Sequence, residues 1–250
     1  MHRSLIIIDL EATCWEKGDP FYKLQKDLSE IIEIGAVRVA QTSCDWVIED
    51  EFQTFVRPLQ NPKLTKFCTD LTKITQDQIN SAPDLTDAWK NFLSWVPKNS
   101  VGVSWGIGDL YKIEQQCSDR GLTNPWHKEN WLDLKEVFSR QMRRLGKTPK
   151  GKSLSKALSE AGLLFSGSPH RAIDDAKMTA RLGAWLCHPD RFSNSLKRLF
   201  ELSQEVGRPL TFLEALEHLG GRKEAIPPLK AEAIDLGVPL FRDLDPGDLT

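Results

Sequence analysis

Paired cysteines are missing from this 250-residue chain: its five, Cys14, Cys44, Cys68, Cys117 and Cys187, are scattered with no C-x-x-C among them. That excludes a disulfide framework and a zinc site of ordinary spacing, and it points to a reducing cytoplasmic compartment. Long hydrophobic runs are missing too. The apolar run from Leu5 to Ile8 is too short for a signal peptide or a membrane span, so an intracellular chain with no membrane association is expected. There is no basic excess either, the formal net charge being −2. A wide basic surface is therefore excluded, though a local patch is not. No internal repeat or low-complexity tract is visible. What remains is an ordinary composition, 40% hydrophobic and 27% charged, enough for one large domain or a domain with an appendage.

Leu5 to Leu10 is apolar and β-branched and reads as a strand buried on both faces. Further strands are expected over Ile31 to Ala40, Asp50 to Pro58, Ser100 to Trp105 and Trp131 to Leu134. Helical spacing is seen over Thr75 to Asn80, Leu85 to Trp95, Asp109 to Arg120, Ser153 to Ala161 and Arg171 to Leu186. One more helix carries Val137, Phe138 and Met142. Three early strands followed by alternating helix and strand predict an α/β domain with a mixed sheet. Composition changes at His188-Pro189-Asp190. Residues 1–188 are accordingly read as the main domain and 189–250 as a helical C-terminal extension. The extension is expected to hold helices over Ser193 to Val206 and Leu210 to Leu219, then a tail containing Pro227, Pro228, Pro239 and Pro246. It packs on the main domain or on a protein partner.

Three short motifs carry chemistry. In Asp9-Leu10-Glu11, at the end of the first strand, side-chain alternation sends both carboxylates to one side. Such a pair repels, and burying it is costly unless a cation compensates; a hard divalent ion with oxygen ligands fits. The plainer alternative is a strand that simply ends in solvent. Asp109 follows a strand and a turn bearing Gly106 and Gly108, at a helix start where an N-cap is the ordinary role. His170-Arg171-Ala172-Ile173-Asp174-Asp175 places a loop histidine ahead of a helix-borne carboxylate. That suits a general base beside a metal ligand, although a surface histidine with acids favouring a helix N-terminus reads equally simply.

Taken together, D-x-E on strand one, an Asp about a hundred residues on, and H-x-x-x-x-D at a helix start resemble the DEDDh exonucleases of the ribonuclease H-like superfamily. The local wording is similar to the ERI-1-like branch. Asp9-Leu10-Glu11-Ala12-Thr13-Cys14 looks like its first motif and Glu30-Ile31-Ile32-Glu33-Ile34-Gly35 like its second strand. Phe67-Cys68-Thr69-Asp70-Leu71 with Ile74-Thr75-Gln76 looks like the helical segment after the third strand. The resemblance spans about Leu5 to Leu186. In the sister subtype a Tyr stands four residues before the last Asp; here that position is Arg171.

The resemblance implies a ribonuclease H-like mixed five-stranded sheet flanked by helices, and a metal-dependent 3′→5′ exonuclease releasing nucleoside 5′-monophosphates. Its cofactor would be Mg²⁺, two ions about 4 Å apart, with Mn²⁺ as a substitute. Asp9 would bridge both ions, Glu11 and Asp175 would complete one site, Asp109 would support the other, and His170 would deprotonate the attacking water. Single-stranded 3′ ends of RNA or DNA are the expected substrate, with RNA favoured by the ERI-1-like wording and a DNA-directed exonuclease of the proofreading or repair type as the rival. Ala12 and Thr13 through their backbone, and Trp105 by stacking, are candidate nucleotide contacts, with core packing the plainer role for Trp105. The stretch Arg140 to Lys156, with seven basic and no acidic residues, is a phosphate track or a solvated loop. ERI-1-like enzymes with an additional nucleic-acid-binding domain carry it ahead of the nuclease. With the first strand at Leu5, none is expected here. The rival from another class is a binding module that kept the fold and lost catalysis; all four acids and the histidine being present argues against it.

Overall fold

The computed structural model describes residues 4–24, 28–41, 46–148, 153–188, 194–219 and 223–235. Its centre is a five-stranded sheet in the order β3-β2-β1-β4-β5. The strands are β1 (Leu5–Ala12), β2 (Ile31–Gln41), β3 (Trp46–Phe55), β4 (Val101–Ser104) and β5 (Trp131–Asp133). β1, β2 and β3 pair antiparallel, while β4 and β5 join β1 in parallel, so the sheet is mixed as expected. β1 is buried from Leu5 through Ile8 because both of its faces are covered.

Around the sheet lie α1 (Lys66–Thr72), α2 (Gln76–Asn80), α3 (Leu85–Trp95), α4 (Gly108–Arg120), α5 (Leu134–Arg144), α6 (Leu154–Glu160) and α7 (Ala172–Cys187). Their starts follow capping chemistry: Thr65, Thr75, Asp84, Asp133 and Ser153 each accept a backbone N–H from the first turn. On one face of the sheet, Ile6, Ile8, Ile34 and Ala36 meet an aromatic block of Trp89 and Phe92 from α3, Trp126 from the loop after α4, and Trp131 from β5. On the other face, Leu5, Ile7, Val37 and Val103 meet α5, α6 and α7. The odd positions of β1 look toward α7. This fixes where Asp9 and Glu11 must point.

The extension holds α8 (Asn194–Glu205), α9 (Phe212–His218) and α10 (Ile226–Asp235). Leu196, Leu199, Leu210, Ala215, Ile226 and Leu229 share the hydrophobic cluster of the α7 face. Gln141 on α5 also donates to the carboxylate of Glu232 on α10 at 3.3 Å.

Two sequence expectations shift. The third strand runs over Trp46–Phe55, four residues ahead of its expected start, because β2 extends to Gln41 and pairs it with Trp46. Pro227 and Pro228, expected in a tail, lie in the first turn of α10, where a missing N–H leaves no helical bond unmade. Cys44, Lys150, Lys152, Ser193, Pro239 and Pro246 lie outside the described residues. No described helix is long and apolar enough to cross a membrane.

Candidate active site

β1 carries Asp9 and Glu11 past its apolar half, on the face that meets α7. Opposite Asp9, across the antiparallel ladder, stands Gly35. A Cβ at that position would overlap the backbone of Ala172 and Ile173. The missing side chain therefore lets the first turn of α7 lie directly on the sheet, beside Asp9. Asp175, in that first turn, is brought to the acidic pair by this contact.

Asp109 arrives from the other side. The cap position of α4 is Ile107, which makes no side-chain cap bond. Asp109 instead accepts the N–H of Leu10 at 3.2 Å, a bond that reaches the residue between Asp9 and Glu11 across 99 positions of sequence. The turn before it is tied down by Ser104, whose hydroxyl donates to the Gly106 carbonyl at 2.5 Å and accepts from the Trp131 indole at 3.1 Å. The ordinary N-cap alternative for Asp109 is thus replaced by a long-range one.

His170 sits in the loop ahead of α7 with φ of 63°, the left-handed region that non-glycine residues rarely enter. Its N–H donates to Asp175 Oδ2 at 3.2 Å, and its ring is exposed. One potential ligand atom each from Glu11, His170 and Asp175 lie within 4.8 Å of one another. Asp174 turns the other way and accepts from the Ser168 N–H at 2.9 Å, shaping the loop.

The electrostatics follow from the crowding. Burial, then the carboxylates of Asp109, Asp175 and Glu11, hold the Asp9 carboxyl well above its ordinary range. Burial followed by Asp175, Glu33 and Asp109 pushes Glu11 up to about 8. Asp109 rises to about 7 through burial, opposed by the backbone N–H groups of Leu10 and of Asp109 itself. Asp175 rises to about 6, again through burial, opposed by His170. Among the described residues, no Lys or Arg forms an ion pair with any of these four acids. Four carboxyls that cannot all ionise comfortably, and that no described Lys or Arg meets in a direct ion pair, fit a site for hard divalent cations.

The remaining candidates are placed less simply. Thr13 is buried; its N–H donates to the Glu30 carbonyl at 2.9 Å and its hydroxyl accepts the Glu30 N–H at 3.0 Å. Its backbone N–H is committed to the sheet end. The Ala12 carbonyl faces the Cys68 thiol at 3.7 Å. Trp105 is half-buried, edge-on to Phe138 at 5.8 Å between centroids. Arg140 and Arg143 pair with Glu136 at 3.8 and 3.5 Å, so part of the basic stretch is locally neutralised. Sequence reasoning used Glu33 only as part of a strand. The structure makes it the anchor of the loop that carries His170. The one local signal was a charged residue inside the apolar run Ile31-Ile32-Glu33-Ile34.

A protein-family model described as exonuclease matches residues 6–182. The human ERI1 exoribonuclease 2 is 33% identical over 204 residues, which cover 72% of this chain and 28% of the relative. The rat 3′-5′ exoribonuclease 1 is 33% identical over 187 residues, covering 71% of this chain and 51% of that one. The matched part is thus about a quarter to a half of these relatives' lengths. Among solved structures, the nuclease domain of 3′hExo, a DEDDh family member bound to rAMP, is similar with a TM-score of 0.63 and 28% identity. That match covers 74% of this chain and 92% of the 3′hExo domain.

Proposed function

The chain belongs to the exonuclease family, in its DEDDh, ERI-1-like branch, and from that premise we propose that it is a 3′→5′ exonuclease acting on single-stranded RNA. The observation that carries this reading is the convergence of Asp9, Glu11, Asp109 and Asp175, from β1, α4 and α7, beside an accessible histidine. RNA is favoured because the relatives named above are exoribonucleases and the similar nuclease domain holds rAMP.

Asp9, Glu11, Asp109 and Asp175 are the residues that would hold two Mg²⁺ ions. Bound divalent cations supply electrostatic stabilisation of the charge that develops on the attacking and leaving oxygens of a phosphodiester. The chain's own contribution is position and proton transfer. His170, within reach of Glu11 and Asp175, accepts the proton of the attacking water at a ring nitrogen. Hydrolysis then cleaves the bond to the 3′ oxygen of the penultimate nucleotide and releases a nucleoside 5′-monophosphate. Trp105, at the end of the β4 segment that delivers Asp109, is the candidate stacking surface for the terminal base. The thiols of Cys14, Cys68 and Cys117, none of them in a disulfide, favour a reducing cytoplasm as the working compartment.

The test is a 5′-labelled single-stranded RNA incubated with Mg²⁺ and resolved at nucleotide length, alongside a matched DNA. A ladder shortening from the 3′ end is expected, fainter on DNA and absent with EDTA or with Asp9→Ala. An undiminished ladder from Asp9→Ala overturns the assignment; equal rates on both polymers overturn the RNA preference.

A further inference from the structure

Glu33 is fully buried, yet it is a carboxylate surrounded by donors. Its Oε1 accepts from Gln53 Nε2 at 2.5 Å and from Arg171 Nη2 at 2.9 Å. Its Oε2 accepts from Arg171 Nε at 3.2 Å and from the Ala172 N–H, the first of α7, at 3.0 Å. The Arg171 guanidinium also lies over the Phe55 ring, 5.3 Å from its centroid. One side chain on β2 therefore grips both the side chain before α7 and the helix end itself.

Resting on the exonuclease reading above, we infer that Glu33, through Arg171, is a positioning residue that fixes the proton-accepting ring of His170 over the acidic site. The chain between Gly167 and Ala172 is pinned at three points. Ser168 is held by Asp174, Arg171 by Glu33, and the His170 N–H by Asp175. With Arg171 drawn down to β2, residue 170 brings its ring to Glu11 and Asp175 in the left-handed region, at a φ of 63°. An L residue enters that region at a steric cost and leaves it when nothing holds it. Release of Arg171 lets residue 170 relax, and the ring leaves the carboxylates.

A purely structural ion pair would predict lower stability and nothing else, so the test separates rate from folding. Glu33→Gln, Arg171→Met and the double variant are compared with wild type on single-stranded RNA well below their melting temperatures. Each single change is expected to lower kcat by about 10-fold to 100-fold, the cost of a misplaced catalytic group, with KM within about threefold. The double variant is expected to be no worse than either single one, since the two residues act as a unit. The imidazole resonance of His170 in the metal-free protein gives a second reading, expected to shift and broaden in all three variants. Unchanged kcat with an unchanged His170 resonance overturns the inference. A wild-type protein that makes no ladder sinks the nuclease reading instead, and the resonance alone then decides the positioning. Arg171→Met, whose side chain is 21% exposed, decides both measurements if Glu33→Gln does not fold.

Discussion

Glu11 and Glu33 face each other directly across the β1–β2 ladder, on the same side of the sheet, and they have opposite surroundings. Glu33 is met by an arginine, an amide and a helix N–H. Glu11 is met by Asp175, Glu33 and Asp109, and by no ion-paired Lys or Arg among the described residues. A few ångströms of sheet thus hold one carboxylate that the protein has neutralised and another that it has left in need of a cation. The lesson is that a buried charge cluster marks a binding site only where its compensation is missing. A fully paired buried carboxylate is architecture; a crowd of unpaired ones suits the binding of a cation.

The largest effect that breaks this contrast comes from Asp9, the most crowded of the four acids. Asp9→Asn is expected to lower turnover by about 1,000-fold or more, since several kcal/mol of charge stabilisation vanish with the ligand. The same change should stabilise the metal-free fold, because it removes a carboxyl whose ionisation is opposed first by burial and then by its acidic neighbours. Glu33→Ala should do the reverse for stability, costing about 3 kcal/mol by stranding Arg171 and the end of α7. Chemical denaturation of both variants in EDTA reads the two signs, and shifts in the same direction would erase the contrast.

Next in size is the response to pH and metal. The carboxyls of Asp175, Asp109 and Glu11 are raised in the fold to about 6, 7 and 8, above the unfolded values near 4. The folded state therefore binds protons more tightly than the unfolded chain. That contribution is complete below about pH 4 and is lost as pH rises through 6 to 8, so metal-free stability falls across this window. Mg²⁺ opposes the loss by compensating the charge. Its effect on Tm, measured by scanning calorimetry at saturating Mg²⁺, is expected to be several degrees at pH 8 and close to nothing at pH 5. A Mg²⁺ shift that is flat with pH would mean that these acids are not where the ion binds.

Gly35→Ala acts on geometry instead of charge. The added methyl would strike the backbone of Ala172 and Ile173, so α7 must back away from β2 and take Asp175 with it. A stability loss of about 1–3 kcal/mol is expected from the overpacking, together with a fall in kcat of about 10-fold or more. Wild-type turnover in this variant would show that the site tolerates a displaced α7.

Much of this was legible beforehand, for identifiable reasons. The run Leu5 to Ile8 could be only a buried strand, and period two then sent Asp9 and Glu11 to one face. The strand order was not legible in the residues; the ribonuclease H-like sheet and the assembly of Asp109 and Asp175 came with the DEDDh resemblance. Asp109 shows why. Its local signal was that of an N-cap, and only the bond to Leu10, 99 residues away, reveals its use. Glu33 was hidden in the same manner, since its partners Gln53 and Arg171 lie 20 and 138 residues off. The α10 helix was missed for a local reason, its two prolines reading as a tail until their first-turn position is known. Long-range pairing is the part of a site that periodicity cannot see.

The smallest expected effect tests whether the charge contrast extends beyond the site to the basic face of α5. Arg140 and Arg143 both approach Glu136 in an exposed setting, where such pairs contribute little to stability. Because they already share that carboxylate, they are poorly placed to serve as a free phosphate track. The double variant Arg140→Gln with Arg143→Gln is therefore expected to leave stability within about 0.5 kcal/mol and to raise KM for RNA by less than about threefold. Its slope of log KM against log salt should match wild type. Two lost phosphate contacts on a single strand would lower that slope by about 1.4. A drop of that size would return this helix face to the substrate path and place its compensation, like that of Glu11, in a ligand and not in the protein.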